Sequence, residues 1–264
     1  MWFDSHCHLS ADEFAADRDR VLERAFGAGV EGMLAIGSGY GIEGNARAVA
    51  LAEVEPRVAA AVGVHPHEAS ALDDAGRARL RAWLDSPRVR AVGECGLDYH
   101  YMNSPREVQR EVFAEQLGWA RQRDLPVSIH VRGDAPDAFA EMLDIWRAEG
   151  RGELRGVLHC YTGTLDFARR ALDHGLWISF SGILTFQSAG ELREVARGLP
   201  LERLLVETDA PLLSPAPHRK ERRNEPARVV SVGEVLARVK GLAPDEVARA
   251  TTRNARGLLR WEAP

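Results

Sequence analysis

Eight short apolar runs alternate along the chain with longer segments of helical spacing, and this alternation limits the possible folds more than any other feature. Each run is bounded by polar or turn residues, and most are rich in β-branched or aromatic side chains, as buried parallel strands are. The runs cover residues 2–3, 33–36, 58–64, 91–93, 126–129, 156–158, 177–180 and 204–206. Strands that alternate with helices are typical of βαβ units, whose crossovers are right-handed.

The segments between the runs carry the signals of amphipathic helices. Residues 12–29 follow Ser10 and contain Glu13, and these two residues match a capping box. Further helices are predicted over residues 104–124, 165–174, 189–199, 226–239 and 244–259. An open doubly wound sheet is the alternative, but the first strand–helix junction lacks the Gly-x-Gly-x-x-Gly turn. The sequence therefore predicts an α/β fold, a single (β/α)8 TIM-type barrel over residues 1–264 with an extra C-terminal helix.

Composition excludes several classes of protein. With 45% hydrophobic and 28% charged residues, the 264-residue chain can bury a large core and is not typical of disorder. The formal net charge of −5 argues against a uniformly basic nucleic-acid binder, but not against an enzyme that meets phosphate through metal ions. No run approaches the roughly 18 apolar residues of a membrane span. Because the N-terminus also lacks the pattern of a signal peptide, we expect a cytoplasmic protein with no membrane partner.

Side chains that bind metals follow the apolar runs at their carboxyl ends, the face that carries the active site in a β/α barrel. His6 and His8 are two residues apart, so both rings point to one side of a strand. Glu207 and Asp209 have the same spacing. Strands one and eight are neighbours in a closed barrel, and these two pairs are therefore expected to meet. The polar residues at the strand ends are Asp4, His6, His8, Glu94, His130, His159, Glu207 and Asp209.

This convergence predicts a site for two divalent metal ions. Glu94 is the candidate bridge between the ions, and the terminal ligands are His6, His8 and Asp209 on one side and His130 and His159 on the other. A single histidine at a strand end is more often a hydrogen-bonded core residue, but four such histidines are hard to explain as independent accidents. Imidazole ligands suit zinc, manganese or nickel better than magnesium. We expect zinc to bind most strongly, and magnesium or manganese to support activity.

Cysteines and lysines are not expected among the ligands. Cys7, Cys95 and Cys160 each follow a proposed ligand, so the alternation of side chains along a strand turns the thiols away from the metals. The only lysines are Lys220 and Lys240, and neither ends a predicted strand. A carboxylate, rather than a carboxylated lysine, is therefore the expected bridge.

Seven short motifs around these residues span nearly the whole chain. They are DSHCHL at 4–9, GVHPH at 63–67, GECGLDY at 93–99, PVSIHVR at 126–132, LHCYTG at 158–163, LLVETDAP at 204–211 and RNEP at 223–226. In this order they resemble the motifs of the TatD family of metal-dependent deoxyribonucleases, within the amidohydrolase-like barrels. Ser10 stands where that family often has Asp or Asn, and Asp134 stands where a small residue usually follows the His-x-Arg motif.

The resemblance implies a β/α barrel that hydrolyses DNA with metal ions, often as an exonuclease. It implies ligands at His6, His8, Glu94, His130, His159 and Asp209. The reaction that we predict is two-metal hydrolysis of a phosphodiester, in which Asp209 binds one metal and orients or deprotonates the attacking water. Glu207 is expected to support this site. The favoured substrate is single-stranded DNA or a strand end, with 3′–5′ polarity and a role in DNA repair or degradation, and no obligate protein partner is predicted.

Several residues near the predicted mouth are candidates for substrate binding. His65 and Arg132 are predicted to contact phosphate; the alternatives are a loop-capping role for His65 and a salt bridge from Arg132 to a ligand carboxylate. Tyr99 and Tyr161 are candidates for stacking on bases, although aromatic residues in loops more often only pack. His67 is expected to be structural.

Residues 217–228 hold the one obvious basic cluster of the sequence, which includes Arg222 and Arg223. Contact with the phosphate backbone is the predicted role of these two arginines, and a solvated charged loop is the alternative.

Two other functions fit the same residues. The first is hydrolysis of a small ester, amide or phosphoester on the same metal site. It predicts a closed pocket, and it predicts that DNA has no effect on activity or stability. The second is a non-catalytic interaction protein, which missing ligands would favour, and none is missing.

Overall fold

A computed structural model describes residues 1–133 and 136–261 of the chain, so the departure noted at Asp134 lies outside the described residues. Within these ranges, eight parallel strands form one sheet in the order of the sequence, each paired with the next. The strands are β1 (Trp2–Cys7), β2 (Val30–Ile36), β3 (Val58–Val62), β4 (Val89–Asp98), β5 (Val127–Arg132), β6 (Gly156–Leu158), β7 (Leu176–Phe180) and β8 (Leu204–Val206). The predicted (β/α)8 barrel is confirmed.

Nine α-helices complete the described part of the chain. They are α1 (Arg18–Gly27), α2 (Gly41–Val54), α3 (Asp74–Trp83), α4 (Arg106–Arg123), α5 (Pro136–Gly150), α6 (Leu165–Asp173), α7 (Gly190–Gly198), α8 (Val229–Lys240) and α9 (Pro244–Leu259). The last of these is the extra C-terminal helix that the sequence predicts. None of the helices described is both long enough and apolar enough to cross a membrane.

The two ends of the sheet meet through backbone hydrogen bonds just beyond β8. The N–H of Asp209 donates to the carbonyl oxygen of His6 at 2.9 Å, and the N–H of His8 donates to that of Ala210 at 2.7 Å. The Ser5 hydroxyl adds a bond to the carbonyl oxygen of Val206 at 3.1 Å. The predicted meeting of the first and last strands therefore occurs, and it brings the His-x-His pair against Asp209.

Helix α9 seals the end of the barrel opposite to these residues. Leu258, Leu259 and Trp261 are buried against the amino-terminal ends of the strands, where they join a second apolar cluster with Phe3 and Leu34. The Phe3 and Trp261 rings meet edge to face with their centroids 5.6 Å apart. One end of the barrel is thus packed with apolar side chains, and the predicted metal ligands lie at the other.

Two boundaries differ from the prediction in the centre of the barrel. Glu94 and His130 lie inside β4 and β5 rather than at their ends, because both strands continue further than the apolar runs. The register of β4 against β5 shifts between Gly93 and Cys95. At Gly96, φ is +145° and a Cβ atom would lie 2.0 Å from the carbonyl oxygen of His130. Glycine there lets the two backbones approach closely enough for the strands to continue past the site.

The predicted capping box at the first helix is wrong. The Ser10 hydroxyl donates to the carbonyl oxygen of Ile36 at 3.1 Å and so ties the loop after β1 to the end of β2. Asp12–Phe14 form a short 3-10 turn without a side-chain cap, and α1 begins only at Arg18. A long-range contact has taken the hydroxyl that the local pattern assigned to the helix.

Candidate metal centre

The carboxyl ends of the strands surround a cavity of ≈ 540 Å³. Most of the predicted site residues line it, and the polar wall includes His8, His65, His67, Glu94, Asp98, His130, Arg132, His159 and Asp209. His6 lies directly beneath, fully buried. A volume of this size is in the range of ordinary ligand sites.

The first group of metal-binding atoms comes from the two ends of the chain. His6 Nε2 and His8 Nε2 lie 3.4 Å apart. Asp209 Oδ1 lies 3.7 Å from the His6 nitrogen and 3.4 Å from the His8 nitrogen. Glu94 Oε2 lies 3.5 Å from the His6 nitrogen and 3.7 Å from the His8 nitrogen. These separations exceed normal hydrogen-bond lengths. They match ligand atoms around a shared tetrahedral ion at bond lengths of about 2.1 Å, which are about 3.4 Å apart.

The second group uses the other oxygen of the same glutamate. Glu94 Oε1 lies 2.6 Å from His159 Nε2, 2.9 Å from His130 Nδ1 and 3.5 Å from His65 Nε2. The facing nitrogens of His130 and His159 are 3.4 Å apart. Glu94 therefore presents one oxygen to each group, which is the arrangement of a carboxylate that can bridge two ions.

In His6 and His130 the second ring nitrogen has a partner that orients the ring toward the centre, whereas His8 Nδ1 is buried with no hydrogen-bond partner among the described residues. Ser128 Oγ lies 3.1 Å from His6 Nδ1, and Asp98 Oδ2 lies 3.0 Å from His130 Nε2. A carboxylate can only accept, so His130 Nε2 carries a proton and its Nδ1 is the atom available to a metal. Such hydrogen bonds are typical of metal-binding histidines. The residues present therefore fit a metal centre.

Glu207 performs the same task for His159. Its Oε1 lies 3.3 Å from His159 Nδ1 and accepts the N–H of Cys160 at 2.6 Å. Glu207 is fully buried, and among the described residues it belongs to neither group of metal-binding atoms. This position lies beside the His159 ring, and the supporting role of Glu207 stays a prediction.

The electrostatics of the described site favour positive charge on two of its buried histidines. Burial lowers the pKa of His159, but the neighbouring charges of Glu94 and Glu207 outweigh it and raise that pKa well above its usual value. The pKa of His130 is also raised, because Asp98 and Glu94 outweigh its burial. Burial acts in the opposite direction on Glu94, whose pKa is nevertheless held well below normal by the surrounding histidines. Protons and a divalent cation would therefore compete for the same nitrogens.

His65 is held in a different state from the other histidines. Its Nδ1 accepts the backbone N–H of His67 at 3.1 Å, so the proton of the neutral ring lies on Nε2. Burial lowers the pKa of His65 to about 4, which keeps the ring neutral near pH 7. Nε2 points toward Glu94 and the cavity as a hydrogen-bond donor. This state suits a contact with an anion better than a bond to a metal.

The predicted aromatic residues do not reach the cavity. The Tyr99 hydroxyl donates to Glu141 at 2.6 Å, and the Arg106 guanidinium covers its ring. The Tyr161 hydroxyl donates to the carbonyl oxygen of Thr164, and its side chain is buried. Neither lines the cavity, so the substrate-binding prediction for Tyr99 gains no support from the structure.

The two arginines of the basic cluster have different surroundings. Arg223 makes a double ion pair with Asp17 at 2.7 and 2.8 Å and a further contact with Glu225 at 3.1 Å. Its guanidinium is thus neutralised by the protein itself. Arg222 is exposed, and among the described residues it has no ion-pair partner. Neither arginine lines the cavity.

Sequence reasoning missed Asp98 and Tyr101. Asp98 is four residues after Glu94 on β4, so the alternation of a strand places both carboxylates on one face. That spacing could have identified Asp98 from the sequence. Tyr101 follows the strand in a loop, where no periodic pattern indicates the direction of a side chain. Within the part of the chain described, neither group of metal-binding atoms contains a thiol, and the exclusion of cysteine stays a prediction.

A (β/α)8 barrel with two groups of histidines and carboxylates at the carboxyl ends of its strands defines a metal-dependent barrel hydrolase. The model of the TatD-related DNase family matches residues 3–260. The chain belongs to this family, as its motifs predicted.

Individual relatives match over almost their whole length. The chain is 38% identical over 260 residues to the 3′-5′ ssDNA/RNA exonuclease TatD of Salmonella typhimurium, covering 97% of this chain and 98% of the relative. It is 37% identical to the uncharacterised metal-dependent hydrolase YabD of Bacillus subtilis, covering 98% and 99%. The crystal structure of YJJV, a TatD homologue from Escherichia coli, superposes with a TM-score of 0.91 at 31% identity, covering 99% and 98%.

Proposed function

We propose that this protein is a 3′–5′ exonuclease that hydrolyses the phosphodiester bonds of single-stranded DNA with two divalent metal ions. The observation that carries the proposal is the placement of Glu94, whose two oxygens face two separate groups of ligand atoms. Two ions bridged in this way are typical of enzymes that cleave phosphodiesters. The relative named a 3′-5′ ssDNA/RNA exonuclease supports the substrate class and the polarity.

The residues that would hold the ions follow from the two groups. His6, His8, Asp209 and Glu94 Oε2 would hold one ion, and Glu94 Oε1, His130 and His159 would hold the other. When bound, such ions supply Lewis acidity and make a water molecule acidic enough to attack near neutral pH. We propose magnesium or manganese for turnover, with zinc able to bind.

Asp209 is the proposed general base. Burial raises the pKa of its carboxyl group, but the hydrogen bond with His8 and the charges of the histidines outweigh burial and leave the pKa below its usual value. Asp209 therefore stays ionised and can accept a proton from the attacking water. Its backbone lies in the left-handed region at φ +56°, which Asp tolerates better than most residues. This conformation turns the carboxylate from the end of β8 into the mouth of the barrel.

His65 and Arg132 are the proposed phosphate contacts. The Nε2–H of His65 offers a neutral donor on the cavity wall, and the exposed Arg132 guanidinium adds a positive charge at the rim. Charge-assisted donors of this kind bind phosphate oxygens strongly. DNA repair or degradation is the proposed process, because it consumes single strands from their ends.

The test uses metal-stripped protein with end-labelled single- and double-stranded DNA, to which magnesium, manganese or zinc is restored separately. Asp209→Asn is the inactive variant, and Asp144→Asn, an exposed carboxylate on α5, is the matched control. We expect metal-dependent stepwise shortening of the single strand, absent in Asp209→Asn and unchanged in Asp144→Asn. No cleavage by protein shown to hold metal would overturn the proposal and favour a small ester, amide or phosphoester as substrate.

A further inference from the structure

Tyr101 is an aromatic side chain left open at the edge of the candidate metal centre. It lines the cavity, yet 54% of its surface is exposed. Few large apolar side chains in the described residues are exposed; the others are Met1, Val54, Met102 and Leu212. Of these, Leu212 also lines the cavity. The rim of a polar site therefore carries apolar surface that the fold itself does not cover.

The Tyr101 backbone is fixed relative to the metal-binding atoms. Its N–H donates to Asp98 Oδ1 at 2.8 Å. The other oxygen of Asp98 lies 3.0 Å from His130 Nε2 and 3.0 Å from His67 Nε2. One buried carboxylate thus anchors both a proposed metal ligand and the loop that carries Tyr101. The backbone that carries the ring is positioned before any ligand arrives, which reduces the entropy cost of binding.

A continuous series of rings shows where Tyr101 lies in the cavity. Neighbouring centroids are 3.9 to 6.3 Å apart along the series Tyr40, His8, His6, His159, His130, His67 and Tyr101. Tyr101 lies at one end of this series, next to His67 and His130, and Tyr40 lies at the other end. A phosphate held at the middle of the series would therefore place one of its neighbouring substituents near Tyr101.

Arg132 makes this end of the cavity suitable for a flat group attached to a phosphate. Its guanidinium carbon lies 4.7 Å from the centroid of the Tyr101 ring, and the residue is exposed. Ring and guanidinium both present planar surfaces on which bases stack, and the arginine also carries the charge that attracts phosphate. A small polar ester would use neither surface.

We propose that Tyr101 and Arg132 form a subsite for the unpaired nucleobase of a nucleotide that flanks the scissile phosphate. The proposal rests on the proposed function for the position of the phosphate, but the base contact is a separate property. Stacking on an aromatic ring tolerates every base, so the subsite favours a base over no base without selecting among the four. A paired base stacked within a duplex is less available to the ring, and the subsite therefore favours single strands.

Binding of two small ligands tests the subsite without hydrolysis. Protein loaded with manganese is titrated with deoxyadenosine 5′-monophosphate and with deoxyribose 5-phosphate, which differ only by the base. We expect the nucleotide to bind about tenfold more tightly to the wild-type protein, as one stacked base provides. Tyr101→Ala should remove this difference and Tyr101→Phe should keep it. Met102→Ala, a change at the next exposed side chain of the same loop, is the matched control and should keep it.

Cleavage separates failure of the subsite from failure of the proposed function. Single-stranded DNA is compared with strands that carry one abasic nucleotide on either side of the scissile phosphate. In the wild type, loss of the base at one of these positions should lower kcat/KM about tenfold, and Tyr101→Ala should show no such penalty. The subsite would be overturned if wild type and Tyr101→Ala showed the same preference for a ligand with a base over one without, both in binding and in cleavage. Preferential nucleotide binding without DNA cleavage would keep the subsite and reject the exonuclease.

Discussion

The Asp4 carboxyl group accepts the backbone N–H of Thr208 at 2.9 Å, and its second oxygen lies 2.5 Å from the Thr208 hydroxyl. Both residues are fully buried. This contact joins β1 to the segment after β8, immediately before Asp209. It therefore supports both the closure of the barrel and the placement of a proposed catalytic carboxylate beside His6.

The stability of the protein should tolerate replacement of the Asp4 carboxyl group by an amide but not its removal. Burial raises the pKa of Asp4 to about 8 despite its hydrogen bonds with Thr208 and His6, so the group is mostly protonated at neutral pH. At pH 5, where ionisation of Asp4 in the unfolded state has little effect, Asp4→Asn keeps an acceptor and a donor and should change the free energy of unfolding by no more than about 1 kcal/mol. Asp4→Ala leaves buried groups unpaired and should cost about 3 kcal/mol. Urea denaturation of metal-free protein measures both, and equal losses would refute the neutral carboxyl group.

The same group predicts how stability depends on pH. Between the unfolded pKa of 3.8 and the folded value of about 8, the folded state holds a proton on Asp4 that the unfolded state has lost. The contribution of Asp4 to the free energy of unfolding should therefore fall as the pH rises from about 4 to about 8. The comparison is metal-free wild type against Asp4→Asn at pH 5 and pH 8. A constant difference between the two proteins would contradict the prediction.

Substitution of the two carboxylates that follow β8 should impair different properties of the enzyme. Asp209→Asn should lower kcat at least about 100-fold even at saturating metal, because it removes the proton acceptor. Glu207→Gln should weaken metal binding about 10- to 100-fold through His159, with most of kcat recovered at saturating metal. Activity measured against metal concentration separates these effects. A low kcat of Glu207→Gln at saturating metal would instead place Glu207 in the chemistry.

Gly96 should be intolerant of any side chain. An alanine Cβ would lie 2.0 Å from the carbonyl oxygen of His130, and φ of +145° is strained for it. We expect Gly96→Ala to destabilise the protein by about 3 kcal/mol or more. Gly257→Ala is the matched control, since nothing lies within 4 Å of its Cβ position, and in α9 it should stabilise by about 0.5–1 kcal/mol. Thermal unfolding of both variants measures these changes. A Gly96→Ala protein as stable as the wild type would refute the close approach of β4 and β5.

The basic cluster predicts different roles for its two arginines. Arg222→Ala should weaken binding of single-stranded DNA and reduce the slope of log K against log salt concentration by about 0.7, as loss of one phosphate contact does. Arg223→Ala should lower stability with little effect on that slope, because its charge is already paired with Asp17. Binding titrations at several salt concentrations provide the readout. An unchanged slope in Arg222→Ala would favour a solvated loop.

Periodicity and composition determined the architecture of this protein. The alternation of apolar runs with amphipathic segments predicted eight strands, the barrel and the extra helix, because local patterns encode which faces are buried. The spacing of His6 and His8 predicted that both rings would share one end of the barrel, since strand geometry decides side-chain direction over two residues. Glu207 and Asp209 lie beyond the end of β8, so the left-handed backbone of Asp209, rather than strand alternation, directs its carboxylate.

Only the tertiary structure decided which contacts those residues make. It showed that Glu94 divides its two oxygens between two groups, that Glu207 orients His159, and that Tyr101 rather than Tyr99 faces the cavity. Each depends on atoms brought together from distant parts of the chain, through close backbone approaches and paired charges that no local pattern records. Periodicity predicts the direction of a side chain within its own element, whereas its partners are chosen by the packing of the whole barrel.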